Sequence, residues 1–311
     1  MILAVTLNTS IDKFYLLDRF EPYRVMRVSR VVNTAGGKGM NVARIAAMGG
    51  EAVTAMGFVG GFNGQYFESL ITEPNIKKAF THIKAETRSC INGWDDSLKR
   101  STEYLEPGAQ VTGDEEELFF ADFHRELSNA HVVTISGSMP AGVPQDFYAK
   151  LIGLCKEKRV PVLLDTSGEA LRNAAGAGPT FIKPNTDELR QLMGRDVSSL
   201  EDVIAAAREL YEGGIAYVVI SLGAEGAVMV CRDGVFHGRP PRIEPVNTVG
   251  CGDSMTGGFA IGFSRGWSAY KSIGYAVAVS AANALSMGTG SYDPVVFNNL
   301  LSKVIIQKID L

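Results

Sequence analysis

The chain has 311 residues, a formal charge of −4, and 46% apolar against 21% charged residues, the balance of a soluble globular protein and not of a disordered one. That length allows one large α/β domain or two smaller ones, and slight acidity without a long basic run speaks against nucleic acid or a membrane surface as partner. Glycine is in excess, 34 residues against a usual share of about 7%, so where it sits is informative.

In chain order, Met1–Leu7 lacks a basic segment and reads as a strand, not a signal peptide. Lys13–Phe20 and Val25–Val32 read as two strands with no room for a helix between them. The run Ala35-Gly36-Gly37-Lys38-Gly39-Met40-Asn41-Val42-Ala43-Arg44 opens a helix, with Val42, Ile45, Ala46 and Gly49 at helical spacing and Gly49-Gly50 closing it. Val53–Phe58 is a strand. Residues 87–105 read as another strand pair around the polar turn Asp95-Asp96-Ser97-Leu98-Lys99-Arg100.

Beyond this point helices and strands alternate. Asp114–Asn129, Pro144–Lys158, Thr186–Met193, Ser199–Glu212 and Asp253–Arg265 carry helical spacing; Val132–Ser136, Val160–Asp165, Thr180–Lys183 and Tyr217–Leu222 are short strands. The alternation predicts βαβ units, a mostly parallel sheet with helices on both faces, and ligands beyond the carboxyl ends of its strands. No repeat or low-complexity linker divides the chain, so residues 1–311 are predicted to form one domain. The strand pairs at about 12–34 and 87–105 break the alternation and predict a small β-sheet over one edge, which could act as a lid. Ordinary surface hairpins would leave the same pattern.

Ile273–Leu285 is the longest apolar stretch, but it is interrupted by Gly274, Ser280 and Asn283 and is short of a membrane span. Cys90, Cys155, Cys231 and Cys251 form no C-x-x-C pair, which points to a reducing cytoplasm and away from disulfides or zinc. His82, His124, His131 and His237 form no ligand pattern, and no Ser/His/Asp triad is visible.

Two glycine clusters carry chemistry. In the first, Gly36 and Gly37 let backbone approach a ligand, Lys38 adds charge, and the Asn41 amide suits hydroxyl groups; a tight strand–helix turn with a solvated lysine fits as well. It is not a Walker A loop. In the second, Asn247-Thr248-Val249-Gly250-Cys251-Gly252-Asp253, the glycines bare N–H groups at the positive end of a helix, an anion hole. Asp253 beside such a hole is repulsive to an anion. Either it caps the helix, or it is a general base beside a transferring phosphoryl group.

Together these clusters, their order and their spacing resemble the two signatures of the ribokinase-like (PfkB) carbohydrate kinases, and the resemblance runs essentially the whole chain. It implies a three-layer αβα fold with a small β-sheet lid, and transfer of the γ-phosphoryl of ATP to a sugar or nucleoside hydroxyl with Mg²⁺. The opening Val5-Thr6-Leu7-Asn8-Thr9-Ser10-Ile11-Asp12 is similar to the ketohexose-phosphate branch of tagatose-6-phosphate kinase and 1-phosphofructokinase, with Thr9 in place of a usual proline. Either substrate yields a 1,6-bisphosphate. A kinase of an unphosphorylated sugar or nucleoside, or a silent sugar-phosphate sensor, are the alternatives.

The resemblance makes Asp253 the base, with backbone N–H groups of Gly250, Cys251 and Gly252 forming the hole; a thiol at Cys251 suggests sensitivity to oxidation. Asp12, Gly36, Gly37 and Asn41 would hold sugar hydroxyls, and Arg88, Lys38 and Ser138 the phosphate already on the sugar. Lys183, Asn185, Ser221, Gly223, Gly226 and Asn283 would border ATP. Asn185 and Glu188, three apart, would orient waters on Mg²⁺, although N-x-x-E is also a helix-capping pattern. A homodimer through the lid is implied, with Phe14-Tyr15-Leu16-Leu17 at its face.

Overall fold

The protein is described as a computed structural model over residues 1–309. Strand β1 (Ile2–Asn8) leads into β2 (Ser10–Leu17), β3 (Arg30–Gly36) and helix α1 (Lys38–Met48). Then come β4 (Val53–Gly60), α2 (Gly61–Ser69), the short β5 (Ile76–Lys78) and β6 (Thr81–Ile83), and the pair β7 (Arg88–Asp95) and β8 (Arg100–Leu105). Alternation follows: α3 (Gly113–Leu127), β9 (Val132–Ser136), α4 (Phe147–Glu157), β10 (Val162–Asp165), α5 (Gly168–Gly176), β11 (Phe181–Ile182), α6 (Thr186–Met193), α7 (Leu200–Glu212) and β12 (Tyr217–Ser221). The last part holds β13 (Ala227–Cys231), β14 (Gly234–Arg239), α8 (Cys251–Ser264), α9 (Ala269–Ala284), α10 (Pro294–Leu301) and β15 (Ile305–Ile309).

The large sheet runs β15-β14-β13-β12-β11-β10-β9-β1-β4-β5, with β6 also on β4. It is parallel from β12 through β5 and antiparallel over β13, β14 and β15. Because side chains alternate along a strand, β1 feeds two cores: Ile2 and Ala4 join one face, Leu3, Val5 and Leu7 the other. The first face is covered by α1, α8, α9 and α10, the second by α3, α4, α5, α6 and α7. Burial on both faces is why the central strands read as unbroken apolar runs.

On the first face α8 packs between α1 and α9. A Cβ on Gly257 would lie 2.6 Å from Ile45 Cγ2, and one on Gly258 would lie 2.6 Å from Ala276 Cα. These glycines therefore serve close helix approach, which brings the N-terminus of α8 to that of α1.

The second sheet has the order β3-β2-β7-β8, so the two strand pairs predicted at 12–34 and 87–105 join in one small sheet. The first pair lies several residues from its predicted bounds. Its register runs from Ser10↔Gly36 to Leu16↔Arg30, which leaves Val25 and Val28 outside the ladder and exposed. β-Branched residues around Pro22 imitated a strand there. The antiparallel edge β13–β15 was not predicted from sequence, because Arg232-Asp233-Gly234 breaks its apolar pattern. No helix among the described residues is long and apolar enough to cross a membrane.

Candidate active site

A cavity of about 660 Å³ opens at the carboxyl ends of β10 and β11, between the large sheet and the small one. Its lining includes Asp12, Gly37, Lys38, Asn41, Arg88, Lys183, Asn185, Glu188, Ser221, Gly250, Gly252 and Asp253. Residues scattered over the whole chain thus meet in one place.

At its floor stands the start of α8. Gly250 caps this helix in the left-handed conformation (φ 79°), and a Cβ there would also lie 2.5 Å from Thr289 Cγ2. The first N–H groups of a helix have no intrahelical acceptor, so Gly250 and Gly252 present amides to the cavity. Cys251 departs from its predicted part: its N–H bonds the Thr248 carbonyl at 3.3 Å, and it does not line the cavity. Burial pushes its thiol up, which suppresses the thiolate that oxidation requires.

Asp253 follows, only 6% exposed. Its Oδ2 accepts from Asn41 Nδ2 at 2.7 Å. Burial raises its carboxyl above the usual range; Lys38 opposes this and Asp165 adds to it. Beside it lies a second buried acid that the sequence reading had not singled out. Asp165, at the end of β10, pairs with Lys183 Nζ at 3.3 Å, the two side chains 2% and 4% exposed. Thr256 Oγ1, one turn beyond Asp253 on α8, donates to Asp165 at 3.0 Å. Burial alone would raise Asp165, but Lys183, Lys38 and Thr256 outweigh it and hold the acid ionised. Asp165 in turn is the main cause that pushes the Lys38 ammonium up, with Asp253 and Glu188 adding, although Lys38 is itself exposed. Two carboxylates and two lysines thus neutralise one another, three of them buried and Lys38 exposed.

Toward the small sheet, Asp12 accepts from Ser10 Oγ at 2.7 Å, and burial raises its carboxyl. Gly36 does not itself line the cavity; its bare Cα backs the Asp12 carboxyl, where a Cβ would lie 2.1 Å from Cγ. Arg88 Nη1 donates to the Glu106 carbonyl at 3.1 Å and Nη2 to the Asn8 carbonyl at 3.3 Å, two of its five N–H donors. Ser138 stands outside the lining, with Oγ accepting from Asn8 Nδ2 at 3.1 Å. Lys13 and Arg30 line the cavity from the small sheet.

On the far side, Asn185 and Glu188 form a capping box at the start of α6. Glu188 N donates to Asn185 Oδ1 at 2.8 Å, and Asn185 N to Glu188 Oε2 at 2.9 Å. Both also line the cavity, so the capping and ligand readings share one geometry. Ser221 lines it too, paired across an isolated bridge with Asn185. Gly223 and Gly226 lie in the following turn, outside the lining; a Cβ on Gly226 would lie 2.0 Å from the Gly238 carbonyl, so that glycine serves chain packing. Asn283 is fully buried and away from the lining. It donates to the Val249 carbonyl at 3.0 Å and accepts from Gly290 N at 2.9 Å. It ties two loops together, and its amide is spent on backbone and on Cys251 Sγ at 3.5 Å.

Asp165 and Arg44 are the residues missed. A carboxylate ending a strand of a parallel sheet is a signal for the first. For the second, its position three residues past Asn41 places both on one helix face.

These features are those of a sugar phosphotransferase. Residues 5–295 match the pfkB family carbohydrate kinase model, and the chain belongs to that family, with the ribokinase-like fold. It is similar to Escherichia coli phosphofructokinase-2, at 29% identity and a TM-score of 0.90 over 97% of this chain and 98% of that one. A Staphylococcus aureus protein provisionally assigned as a phosphofructokinase is 30% identical, with a TM-score of 0.86 over 100% and 99% of the two chains. A Thermotoga maritima protein provisionally assigned as a 1-phosphofructokinase is 25% identical, with a TM-score of 0.87 over 100% of both.

A methyl group at position 36 has to displace Asp12. Gly36→Ala is therefore expected to weaken binding of the sugar substrate by about tenfold or more, the loss of a charge-assisted hydrogen bond, with the thermal midpoint little changed. Calorimetric titration checks this, and unchanged affinity would remove Asp12 from the sugar site.

Proposed function

We propose that the chain is one kinase domain that transfers the γ-phosphoryl of ATP to a ketohexose monophosphate, tagatose 6-phosphate or fructose 1-phosphate, giving a 1,6-bisphosphate. The observation that carries this reading is the buried Asp253 beside the glycine amides of α8, in one cavity with Lys38, Lys183 and, from the small sheet, Arg88.

In this mechanism the sugar lies between Asp12 and Asn41 with its acceptor hydroxyl on Asp253. Asn41 occupies Oδ2, so Oδ1 takes the proton as the sugar oxygen bonds to phosphorus and the bond to the bridging oxygen of ADP breaks. Little covalent work falls to the protein in such a transfer. The amides of Gly250 and Gly252 and the ammonium groups of Lys38 and Lys183 meet the charge on the migrating phosphoryl. Ser221 and Lys183 border the nucleotide.

Mg²⁺ would neutralise phosphate charge. The donors on its side of the cavity are oxygens, but Asn185 Oδ1 and Glu188 Oε2 are engaged in the capping box, and no cluster of three His, Cys, Asp or Glu suits a metal among the described residues. Such a set fits an ion that keeps most of its water, with Asn185 and Glu188 reaching it through that water.

Arg88 decides between phosphorylated and free sugars, because its planar fork suits a phosphate and an unphosphorylated substrate leaves it without an anion. Escherichia coli phosphofructokinase-2 has been crystallised with fructose 6-phosphate, which adds that ester to the substrates worth testing. The small sheet serves as a lid. Its outer strands β3 and β8 are unpaired at their free edges and expose Val31, Tyr104 and Leu105, a face suited to a second copy of the chain. Phe14, Tyr15 and Leu16 are half-buried and Leu17 buried, so they contribute less to that face than the outer strands.

The test is ADP release measured across fructose 1-phosphate, tagatose 6-phosphate, fructose 6-phosphate and the free sugars. One phosphosugar should exceed every free sugar in kcat/KM by about a hundredfold, the worth of a charged hydrogen-bonding group, and Arg88→Met should raise its KM by tens-fold. Equal turnover of a free sugar, or an unchanged KM in the variant, would overturn the phosphosugar assignment; no ADP release from any would favour a sensor. Sedimentation is expected to give a dimer, and a monomer at all concentrations would remove the lid contact.

A further inference from the structure

Arg44 lies on α1, half-buried, and does not line the cavity. Its Nη1 donates to the Ala35 carbonyl at 2.6 Å, and its Nη2 to Asn41 Oδ1 and, at 3.4 Å, to the Thr289 carbonyl. Ala35 directly precedes Gly36, and Thr289 is the residue that fills the space above Gly250. One guanidinium thus joins the sugar-binding glycines, the Asn41 amide and the loop packed on the anion hole.

We propose that Arg44 is a positioning residue for phosphoryl transfer: it locks the Asn41 amide so that Asn41 presents N–H, and never oxygen, to Asp253. A guanidinium has donors only, and a carboxylate has acceptors only. Asn41 stands between the two, with Oδ1 on Arg44 and Nδ2 on Asp253 Oδ2. Turning the amide over would set two donors together on one side, half-buried, and two acceptors together on the other, buried. Only one orientation is compatible with both neighbours. The lock pins one oxygen of Asp253 and leaves the other for the acceptor hydroxyl, and it favours the ionised acid.

The electrostatic consequence has a definite sign. Asp253 is faced by Lys38 and Asn41 from α1, by Asp165 from β10 and by Lys183 beyond β11; burial raises its carboxyl, and the Asn41 N–H lowers it. Loss of Arg44 removes a cation and frees the amide, so both effects favour the protonated acid. A base that must be ionised then fails at a higher pH, and the acid limb of kcat moves up.

This inference rests on Asp253 being the base. The experiment is the double-mutant cycle of Arg44→Met and Asn41→Ala, with kcat and KM measured across pH on the preferred phosphosugar. Arg44→Met should lower kcat by about 10- to 100-fold, the range for hydrogen bonds to charged groups, leave the KM for ATP unchanged, and shift the acid limb to higher pH. Asn41→Ala should do the same, and the double variant should lose less than the product of the two single losses, because Arg44 acts mainly through Asn41. Arg44→Lys keeps a donor-only cation and should restore part of the acid limb; it carries the cycle if Arg44→Met does not fold. An unmoved acid limb or additive losses would overturn the inference. Asp253→Asn run alongside separates the two readings. If it turns over like wild type, the base assignment fails; if it is inert while the cycle is additive, only the role of Arg44 falls.

Discussion

Four charges share one site: Asp165, Asp253 and Lys183 are buried, and the exposed Lys38 joins them from the cavity. A buried charge without a partner is costly, and one removed from such a set leaves the others exposed to that cost. The ion pair of Asp165 with Lys183 and the Thr256 hydrogen bond join β10, the end of β11 and α8, while Asn41 joins α1 to Asp253. The elements that hold the site are thereby fixed by the same charges that the site would use. In the proposed reaction an incoming phosphoryl group would add negative charge among these ammonium groups and the glycine amides of α8, with little reorganisation at transfer.

Close approach is the other requirement. The N-termini of α1 and α8 meet because Gly257 and Gly258 let α8 pack directly on Ile45 and Ala276. Gly36 leaves room for the Asp12 carboxyl, and Gly250 for the left-handed turn that opens the helix. The glycine excess thus divides between packing that brings the helices together and backbone bared where they meet.

Much of this was legible from sequence because it is local. The strands at Val132–Ser136 and Tyr217–Ser221 are buried on both faces and read as apolar runs. Asp253, Lys38 and Asn41 stood out as polar residues set among glycines before apolar helices. Asp165 escaped because its meaning is not local, Thr256 and Asp165 being 91 residues apart in the chain; Arg44 is only three residues from Asn41, but its contact with the Thr289 carbonyl spans 245 residues. The Asn185–Glu188 pattern was ambiguous for a physical reason, since one geometry both caps α6 and faces the cavity. Asn283 misled in the opposite way: a polar residue in a late apolar helix resembles a ligand contact until its amide is seen bonded to Val249 and Gly290.

In the proposed reaction Asp253 removes the acceptor proton. Single-turnover transfer from ATP by Asp253→Asn, with sugar-phosphate affinity measured on the same protein, tests it most directly. The transfer rate is expected to fall by about 10²- to 10⁴-fold, the usual contribution of a general base, with affinity held within a few-fold. Transfer at the wild-type rate would contradict it.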